Sequence, residues 1–419
     1  MKKVLYIVAN PFNFSRISVG GNISSANGVI NGLRSIGYHV DVVTDSRVPT
    51  LDNDCENLTT IFYPFRRVRK LIPINFKGYI GRFFNKIDHL FFRFAMSRKV
   101  SELIQQNNYD FCYMRASYNG HAVVKSINNA DLDLIVEVNK PLSMGPFNNK
   151  DNLSWPEKDQ KVSVPISEIM QYDAAKVITV DSSVRAKWVT EFVNKKYEKK
   201  ILVNYNGVNT EMFFPFVPNK KVFEELQISN QDIVVGMASS FRWYNDIDEL
   251  CAILSKASMK IDRLKSLIIV GDQKKELEIQ NKIVQYNLQN KTKLLCQVPF
   301  KKMPSILNCC DILISHFNFH GKWPHNCSIK HLEYLSSGKP TVATDVGEVN
   351  FAIEHQVNGI LCQEGDIEQF ANSIADLAVN SKLRTKLGKL GRKKAIKELT
   401  WKANITRILN FLNENHNIN

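Results

Sequence analysis

The sequence predicts an α/β protein with two doubly wound domains, each built around a parallel sheet. Short runs rich in Val, Ile and Leu alternate with helical patterns along almost the whole chain, as is typical of parallel sheets covered by helices on both faces. There are thirteen such runs, which is too many for one open sheet. A connector that contains Asn206-Gly207, Pro215 and Pro218 separates the seventh run from the eighth, and we expect it to join the domains.

The predicted strands form a group of seven and a group of six. The first group is 4–9, 39–44, 59–62, 111–114, 134–138, 177–180 and 201–203, and the second is 233–237, 266–270, 293–297, 312–315, 341–344 and 359–362. The N-terminal run imitates a signal peptide, but Asn10-Pro11 ends it too early, so we interpret it as the first buried strand. No run approaches the ~18 apolar residues of a membrane-spanning helix.

The domain limits follow from the connector. We predict an N-terminal domain over residues 1–205, a C-terminal domain over 206–399, and a last helix within 400–419 that packs back on the N-terminal domain. In open α/β sheets the ligand lies beyond the carboxyl ends of the strands, so residues that follow strands are the candidates for a binding site.

Composition excludes a disordered chain and indicates an anionic partner. The hydrophobic fraction is 44% and the charged fraction 23%, as in ordinary globular proteins. The net charge of +14 is compatible with nucleic acid, anionic lipid or a phosphorylated substrate. None of the eight cysteines forms a CxxC pair, and no Cys/His group has the spacing of zinc ligands, so we expect a reducing, cytoplasmic location and no bound metal.

Two motifs follow predicted strands. Gly20-Gly21 precedes a helical pattern, where paired glycines let a phosphate approach a helix N-terminus, although a simple tight turn gives the same pattern. Lys330 and Glu333 share one face of a predicted helix that Gly338 ends. Such a pair can bind the phosphate and ribose hydroxyls of a nucleotide, or form a solvated ion pair.

The segment around Lys330 carries a family resemblance. SIKHLEYLSSGKPTVATDVGE, followed by VNGILCQEGDIEQFANSI, resembles the donor site of GT-B glycosyltransferases, in particular the large family four of retaining enzymes. The segments NGVNTEMFFP, LKSLIIVGD and VPFKKMPSILNCCDILIS are similar to the same family and occur in the expected order. The resemblance implies the GT-B fold, in which two Rossmann-like domains face each other across a cleft. The N-terminal domain would receive the acceptor, and the C-terminal domain would bind the donor.

The resemblance also implies roles for residues of the donor site. Glu333 matches the second Glu of the family's E-x7-E motif, which accepts hydrogen bonds from the ribose. The first Glu would fall at position 325, where this chain has His325. Lys330 is placed to neutralise the diphosphate of the leaving group, and Ser328 belongs to the same donor-binding segment.

Other family positions have different residues in this chain. The family's usual Arg and Lys fall at Ser239 and Tyr244, so Arg242 is the candidate substitute as a catalytic cation. Pro299 and Phe300 lie where the family holds the nucleobase.

Further residues are assigned to the diphosphate and the acceptor side. Gly20 and Gly21 would approach the diphosphate or the acceptor from the N-terminal domain. Arg115, Glu137 and Asn139 each follow a predicted strand and are expected to face the cleft, although Glu137 is equally well interpreted as a buried, paired structural carboxylate.

Residues 66–99 contain ten Lys and Arg and a single acidic residue, Asp88. Apolar residues recur there at helical spacing, namely Ile80, Phe83, Phe84, Ile87, Phe91 and Phe94, with Phe92 off this stripe. Either the stripe packs on the first sheet, or the basic helix lies on an anionic membrane surface. No motif supports nucleic acid as the partner.

Together these features predict an enzyme, a hexosyltransferase-like glycosyltransferase. It would move a sugar from a nucleotide diphosphate sugar, of UDP or GDP type, to a glycan or lipid-linked acceptor in lipopolysaccharide or capsule synthesis. We expect retention, no cofactor or metal, and a peripheral position on the inner face of the membrane. A nucleotide-sugar epimerase on the same fold remains an alternative. So does a weakened nucleotide-sugar-binding subunit, because of His325, Ser239 and Asn139.

Overall fold

The structure is a computed structural model that describes residues 2–9, 21–45, 57–61, 79–147, 162–320 and 328–416. These ranges contain thirteen strands in two sheets, and every strand pairing within the sheets is parallel. All the predicted strands are found, five of them with the predicted bounds and the others shifted by one or two residues at an end. The α/β class with two doubly wound sheets is confirmed.

The first sheet has seven strands in the order β3-β2-β1-β4-β5-β6-β7. Their bounds are β1 Lys2–Val8, β2 Tyr38–Asp45, β3 Leu58–Ile61, β4 Phe111–Arg115, β5 Leu134–Val138, β6 Val177–Val180 and β7 Ile201–Val203. The α-helices described in this part of the chain are α1 Gly21–Ser35, α2 Tyr79–Gln106, α3 His121–Asn129, α4 Ile166–Ala174 and α5 Ser183–Trp188.

The second sheet has six strands in the order β10-β9-β8-β11-β12-β13. Their bounds are β8 Ile233–Ser239, β9 Leu264–Val270, β10 Thr292–Cys296, β11 Ile312–Ser315, β12 Thr341–Thr344 and β13 Ile360–Cys362. The helices described from here on are α6 Lys220–Leu226, α7 Ile247–Lys260, α8 Glu276–Gln285, α9 Met303–Asn308, α10 Ile329–Ser336, α11 Val349–Ala352, α12 Ile367–Val379, α13 Ser381–Glu398 and α14 Trp401–His416.

The described residues form two compact units. The first takes the residues before position 10, those from Val29 to Tyr205 and those from Ile405 onward. The second takes residues 21–28 and those from Asn206 to Asn404. Helices α1 and α14 therefore each contribute residues to both units.

Helix α2 shows how a helix covers the first sheet. Phe92, Met96 and Val100 recur every fourth residue and are fully buried in the core of the first unit. The hydrophobic face that packs on the sheet is thus the one that contains Phe92. No helix among the described residues is long and apolar enough to cross a membrane.

Each sheet has one point where the chain reverses its direction of winding. In the first sheet this point lies between β1 and β4, and in the second between β8 and β11. Loops that leave neighbouring strands in opposite directions open a crevice at the carboxyl ends of the strands, which is where ligands bind in such sheets.

Candidate active site

The switch point of the second sheet is bordered by two loops that are hydrogen-bonded to each other. The Asn245 side chain accepts a hydrogen bond from Ser239 Oγ at 2.9 Å and donates one to the carbonyl oxygen of His316 at 3.0 Å. The backbone N–H of Asn318 donates to the carbonyl oxygen of Tyr244 at 2.9 Å. These bonds fix the loop after β8 against the loop after β11.

Four aromatic side chains pack together on these loops, two from each. The Tyr244 and Phe319 rings are stacked with their centres 5.3 Å apart, and Trp243 meets both rings edge-on. Phe317 completes the group at 5.7 Å from Tyr244. The family resemblance showed that its usual basic residues are replaced here by Ser239 and Tyr244, but it did not predict that the four rings pack together. The sequence signal for the cluster is the presence of aromatic residues just beyond two strand ends.

Three loops at this edge of the second sheet contain a residue in the left-handed conformation. Phe241, Gln297 and His320 have φ angles of 48°, 52° and 52° and follow β8, β10 and β11, respectively. This conformation is uncommon for residues other than glycine and is concentrated at ligand-binding sites, where the surrounding structure holds it in place.

Helix α10 presents Lys330 and Glu333 at the same edge. Ser328 is the N-cap residue, and its side chain makes no capping hydrogen bond. The Lys330 ammonium lies 4.3 Å from the centre of the Phe317 ring, a cation–π contact that places it beside the aromatic cluster. Lys330 and Glu333 are half-buried, and neither forms a hydrogen bond or a salt bridge through its charged group to another described residue.

The electrostatics of this pair are dominated by burial. Burial lowers the pKa of the Lys330 ammonium to about 7, and the Glu333 carboxylate opposes this shift. Burial also raises the pKa of the Glu333 carboxyl to about 7, with Lys330 opposing. Two groups that lose solvation without gaining a hydrogen bond or salt bridge to another described residue are typical of ligand-binding sites.

Neighbouring residues hold α10 in place. His331 is buried, its Nε2 lies 2.7 Å from Ser315 Oγ, and burial lowers its pKa to about 3, so it is neutral and structural. Tyr334 Oη accepts a hydrogen bond from the backbone N–H of Ala238 at 3.0 Å. These contacts tie α10 to the ends of β11 and β8.

The C-terminus of α10 ends as the sequence predicts. Gly338 has a φ of 67° and its N–H donates to Leu335, the arrangement of a glycine that ends a helix. The Arg392 guanidinium donates to the carbonyl oxygens of Thr210, Phe213 and Ser336, and so fastens the connector to this end of the helix.

The remaining predicted donor residues have different environments. Arg242 is exposed on the loop after β8. Pro299 is exposed beyond β10, and the half-buried Phe300 packs edge-on against Phe213 with ring centres 5.7 Å apart. Gly20 and His325 lie outside the described residues, and Gly21 is described only as the first residue of α1.

The acceptor-side candidates lie at the carboxyl edge of the first sheet. Arg115 and Glu137 are within strands rather than after them, because β4 and β5 extend to Arg115 and Val138. Arg115 is 2% exposed, and its guanidinium lies 3.4 Å from Glu137 Oε1, which also accepts a hydrogen bond from the Asn139 amide at 2.9 Å. This arrangement agrees with the interpretation of Glu137 as a buried, paired carboxylate.

Two tyrosines complete this buried cluster. Tyr6 and Tyr113 lie with ring centres 5.6 Å apart, and burial raises the pKa of each. Glu137 and the tyrosines raise the pKa of Arg115 despite its burial. The Arg115 guanidinium therefore stays charged and paired with Glu137.

Helix α4 positions the loops that follow β4 and β5. The Gln171 side chain accepts from the Ser117 N–H at 3.1 Å and donates to the Ser117 carbonyl oxygen at 2.8 Å. The Glu168 carboxylate accepts from the N–H groups of Leu142 and Ser143. These contacts could not be predicted, since polar residues on a short amphipathic helix resemble surface residues in the sequence.

Asp246 and Asp248 are two carboxylates with one residue between them, a spacing also found in metal sites, but both have structural roles. Asp246 caps α7 by accepting from the Glu249 N–H at 3.0 Å, and Asp248 pairs with Lys282 at 2.6 Å. In the described ranges, no group of three His, Cys, Asp or Glu side chains is arranged to hold a metal ion.

Comparison with known proteins finds a family match in the second unit. Residues 218–394 match the family described as Glycosyl transferases group 1. An uncharacterized glycosyltransferase of Methanocaldococcus jannaschii is 26% identical over 216 residues, which are 52% of this chain and 54% of the relative. The alignment therefore spans only about half the length of that relative.

Two solved structures resemble the whole chain. A glycosyltransferase from Rickettsia africae has a TM-score of 0.70 at 17% identity and covers 99% of this chain and 98% of its own. The Anabaena protein HepE, solved in complex with UDP and glucose, has a TM-score of 0.70 at 16% identity and covers 99% of this chain and 100% of its own. Identities this low show the fold alone, and the predicted GT-B fold is confirmed.

Proposed function

We propose that this chain, whose residues 218–394 form a glycosyl transferases group 1 domain, transfers a sugar from a nucleotide diphosphate sugar to a glycan or lipid-linked acceptor. The observation that carries the proposal is the half-buried pair Lys330 and Glu333 on one face of α10, at the switch point of the second sheet. The donor is of UDP or GDP type. HepE, which has the same fold, was solved with UDP and glucose.

In this proposal, Lys330 and Glu333 bind different parts of the nucleotide. The Lys330 ammonium faces the diphosphate and neutralises the charge that grows on the leaving phosphate as the glycosidic bond breaks. The Glu333 carboxylate accepts hydrogen bonds from the ribose hydroxyls. Binding of the diphosphate compensates the burial that lowers the pKa of Lys330, because a nearby anion favours the charged ammonium.

The transfer proceeds with retention and without a metal or cofactor in this proposal. Arg242, exposed on the loop after β8, supplies a second cation as the donor binds. Asn139 can orient a sugar hydroxyl through its amide but cannot accept a proton as a base. The leaving phosphate then takes the proton of the acceptor hydroxyl, so no protein base is required.

The acceptor is attached to a membrane in this proposal, and helix α2 carries the supporting observation. Beside its buried face, α2 exposes four large apolar side chains, with Phe83 60%, Leu90 65%, Phe91 50% and Phe94 68% accessible. Phe83, Phe91 and Phe94, which belong to the predicted apolar stripe, are therefore exposed to solvent, whereas Phe92, which is off the stripe, is buried in the core. Ile80, Phe84 and residues 66–78 fall beyond the described side chains.

An exposed apolar face on a basic helix suits the interface of an anionic bilayer. We therefore place the enzyme on the inner face of a membrane, where it acts in the synthesis of lipopolysaccharide or capsule.

Substitution of the α10 pair tests the proposed activity. Lys330→Ala and Glu333→Ala should each lower kcat/KM for transfer or hydrolysis of the preferred nucleotide sugar by roughly 10²–10³, the effect of removing one charged group from a transition-state site. UDP, GDP and ADP sugars are offered in turn, and nucleotide release is measured.

A matched pair on the same unit serves as the control. Lys260 and Glu368 form an exposed salt bridge at 2.6 Å, and Lys260→Ala and Glu368→Ala should leave turnover unchanged. Wild-type turnover in both α10 variants would contradict the site. Nucleotide binding by the wild type without turnover of any donor would contradict an enzymatic role and favour a binding subunit.

A further inference from the structure

Helix α13 is the most basic element in the second unit. Its eighteen residues include eight Lys and Arg and a single acidic residue, Glu398. Residues 66–99, with ten Lys and Arg and one acidic residue, lie elsewhere in the chain, so this helix is a separate concentration of positive charge. The lysines of α13 have no part in the proposed donor site or in the acceptor-side cluster.

The two arginines of α13 point inward and are structural. The Arg384 guanidinium donates to the carbonyl oxygens of Leu377 and Ala378 at 2.6 and 2.8 Å. The Arg392 guanidinium donates to the connector and to the end of α10, as described above. The arginines therefore explain how α13 is attached and leave the lysines to be explained.

Five lysines form a row along the outer face of α13, and we call them the α13 lysine row. They are Lys382, Lys386, Lys389, Lys393 and Lys397, all exposed. Their spacing of three or four residues puts them on one side of the helix over a length of about 22 Å. Only Lys397 has a salt bridge within the described residues, to the adjacent Glu398 at 3.6 Å.

The row is not explained by the stability of the helix itself. Like charges three or four residues apart repel each other, so the row weakens α13 instead of stabilising it. Ser381 and Thr385 lie beside the first lysines and, with them, line a shallow depression of about 370 Å³. A row of flexible cations, of which only Lys397 has a salt bridge to a described residue, with hydroxyl groups beside it, is suited to phosphate oxygens supplied by a partner.

We propose that the α13 lysine row binds the phosphate-rich surface of an anionic lipid bilayer. A bilayer presents diffuse negative charge over a plane, and long lysine side chains reach such charge without a fixed geometry. Helix α13 contains no aromatic residue, so it lacks the stacking platforms on which nucleic-acid bases are held. The proposal is independent of the transfer reaction and concerns a different unit from helix α2.

Vesicle binding tests the row. The full chain is mixed with vesicles of phosphatidylglycerol and phosphatidylcholine, or of phosphatidylcholine alone, and bound protein is measured by sedimentation. The wild type should prefer the anionic vesicles, with an affinity that falls as salt rises, since exposed charges are screened within about 8 Å at physiological ionic strength. The variant K382Q/K386Q/K389Q/K393Q should bind anionic vesicles at least tenfold more weakly.

A second variant with the same loss of charge is the control. Lys125, Lys176, Lys199 and Lys221 are exposed and scattered, and the variant K125Q/K176Q/K199Q/K221Q should lose less than threefold in affinity. Equal losses in both variants would overturn the proposal, because net charge alone would then explain binding. It would also be overturned if the row variant bound vesicles normally but lost binding to the soluble polyanion heparin. Unchanged thermal unfolding of both variants verifies that the fold is intact.

Discussion

At the scale of single residues, the Lys330 and Glu333 pair makes the stability of the protein sensitive to pH. In the absence of ligand the Glu333 carboxyl has a pKa of about 7, above its ordinary 4.5, because it is buried. The folded protein therefore holds an extra proton between these pH values, and its stability falls as pH rises from 4.5 to 7. The pKa of Lys330, which burial lowers from 10.5 to about 7, has the opposite effect: the unfolded chain holds the extra proton, and the stability of the fold rises from pH 7 to 10.5.

The same ionisations predict a bell-shaped pH dependence for donor binding. Below pH 7 Glu333 is protonated and accepts fewer hydrogen bonds, and above pH 7 Lys330 loses the charge that attracts the diphosphate. We expect the affinity for UDP-glucose, whose diphosphate does not ionise near neutral pH, to be greatest near pH 7. On either side of this maximum the affinity should fall by at most about tenfold per pH unit, which is the limit when one proton is involved. Titration calorimetry from pH 5.5 to 8.5 measures the profile.

The variant Lys330→Arg distinguishes the decline of affinity above pH 7 from the decline below it. An arginine stays charged over this range, so the decline above pH 7 should disappear even if the different geometry lowers the overall affinity. The decline below pH 7 should remain. A wild-type affinity that is constant from pH 5.5 to 8.5 would contradict the roles given to both residues.

Lys330 also shows what sequence can predict at this scale. Its three-residue spacing from Glu333 and the family resemblance singled out both residues. The contact between Lys330 and the Phe317 ring could not be predicted, because the two residues are thirteen positions apart and meet only when α10 packs beside the end of β11. Likewise, the pairing of Arg115 with Glu137 depends on the register of β4 and β5.

At the scale of secondary-structure elements, the close packing of α13 on the end of α10 positions the helix that contains Lys330 and Glu333. Gly388 lies so near Gly338 that an added Cβ would be 2.1 Å from the Gly338 carbonyl oxygen. That neighbour is backbone and cannot move aside without moving α10. The end of α10, which Gly338 forms, is thus held by the absence of a side chain at Gly388 as well as by the bonds of Arg392.

Gly388→Ala should therefore destabilise the protein although alanine favours helices. Overpacking of this kind lowers the free energy of unfolding by about 1–3 kcal/mol. A clash with rigid backbone should outweigh the ~1 kcal/mol that alanine gains over glycine in a helix. Because α13 must move away from α10, the affinity for UDP-glucose should fall as well. Chemical denaturation and calorimetry measure the two effects. Thr385→Ala, at an exposed position of the same helix, should change neither, and a Gly388→Ala protein as stable as the wild type would refute this account.

Helix α2 shows the limit of sequence patterns at this scale. Apolar residues occupy two of its faces, one with Phe92, Met96 and Val100 and one with Phe83, Phe91 and Phe94. Periodicity identifies both faces but not which of them packs on the sheet, because that depends on the surface presented by the strands. The sequence left open whether the longer stripe packs on the sheet or faces a membrane, and in the structure the sheet covers the face that contains Phe92.

At the scale of the whole molecule, the alternation of strands and helices predicted the architecture well. Near-continuous apolar runs such as Leu134–Val138 are buried on both faces, as parallel strands require. The order of strands within each sheet was not predictable in detail, because an apolar sequence pattern does not specify which strands pair with each other. That order nevertheless defines the switch point where Lys330 and Glu333 lie.

The behaviour of the whole molecule at a membrane is the last prediction. The variant F83S/F91S/F94S removes three exposed rings from α2, and interfacial binding grows with buried apolar area, so its affinity for anionic vesicles should fall at least about tenfold. The control M259S/L277S/V284S removes three exposed apolar side chains of the second unit and should bind normally. Apolar contacts are not screened by salt, so the contribution of α2 should persist at high salt, whereas that of the α13 lysine row disappears. Equal binding of the wild type and the α2 variant at high salt would exclude α2 as a membrane-binding surface.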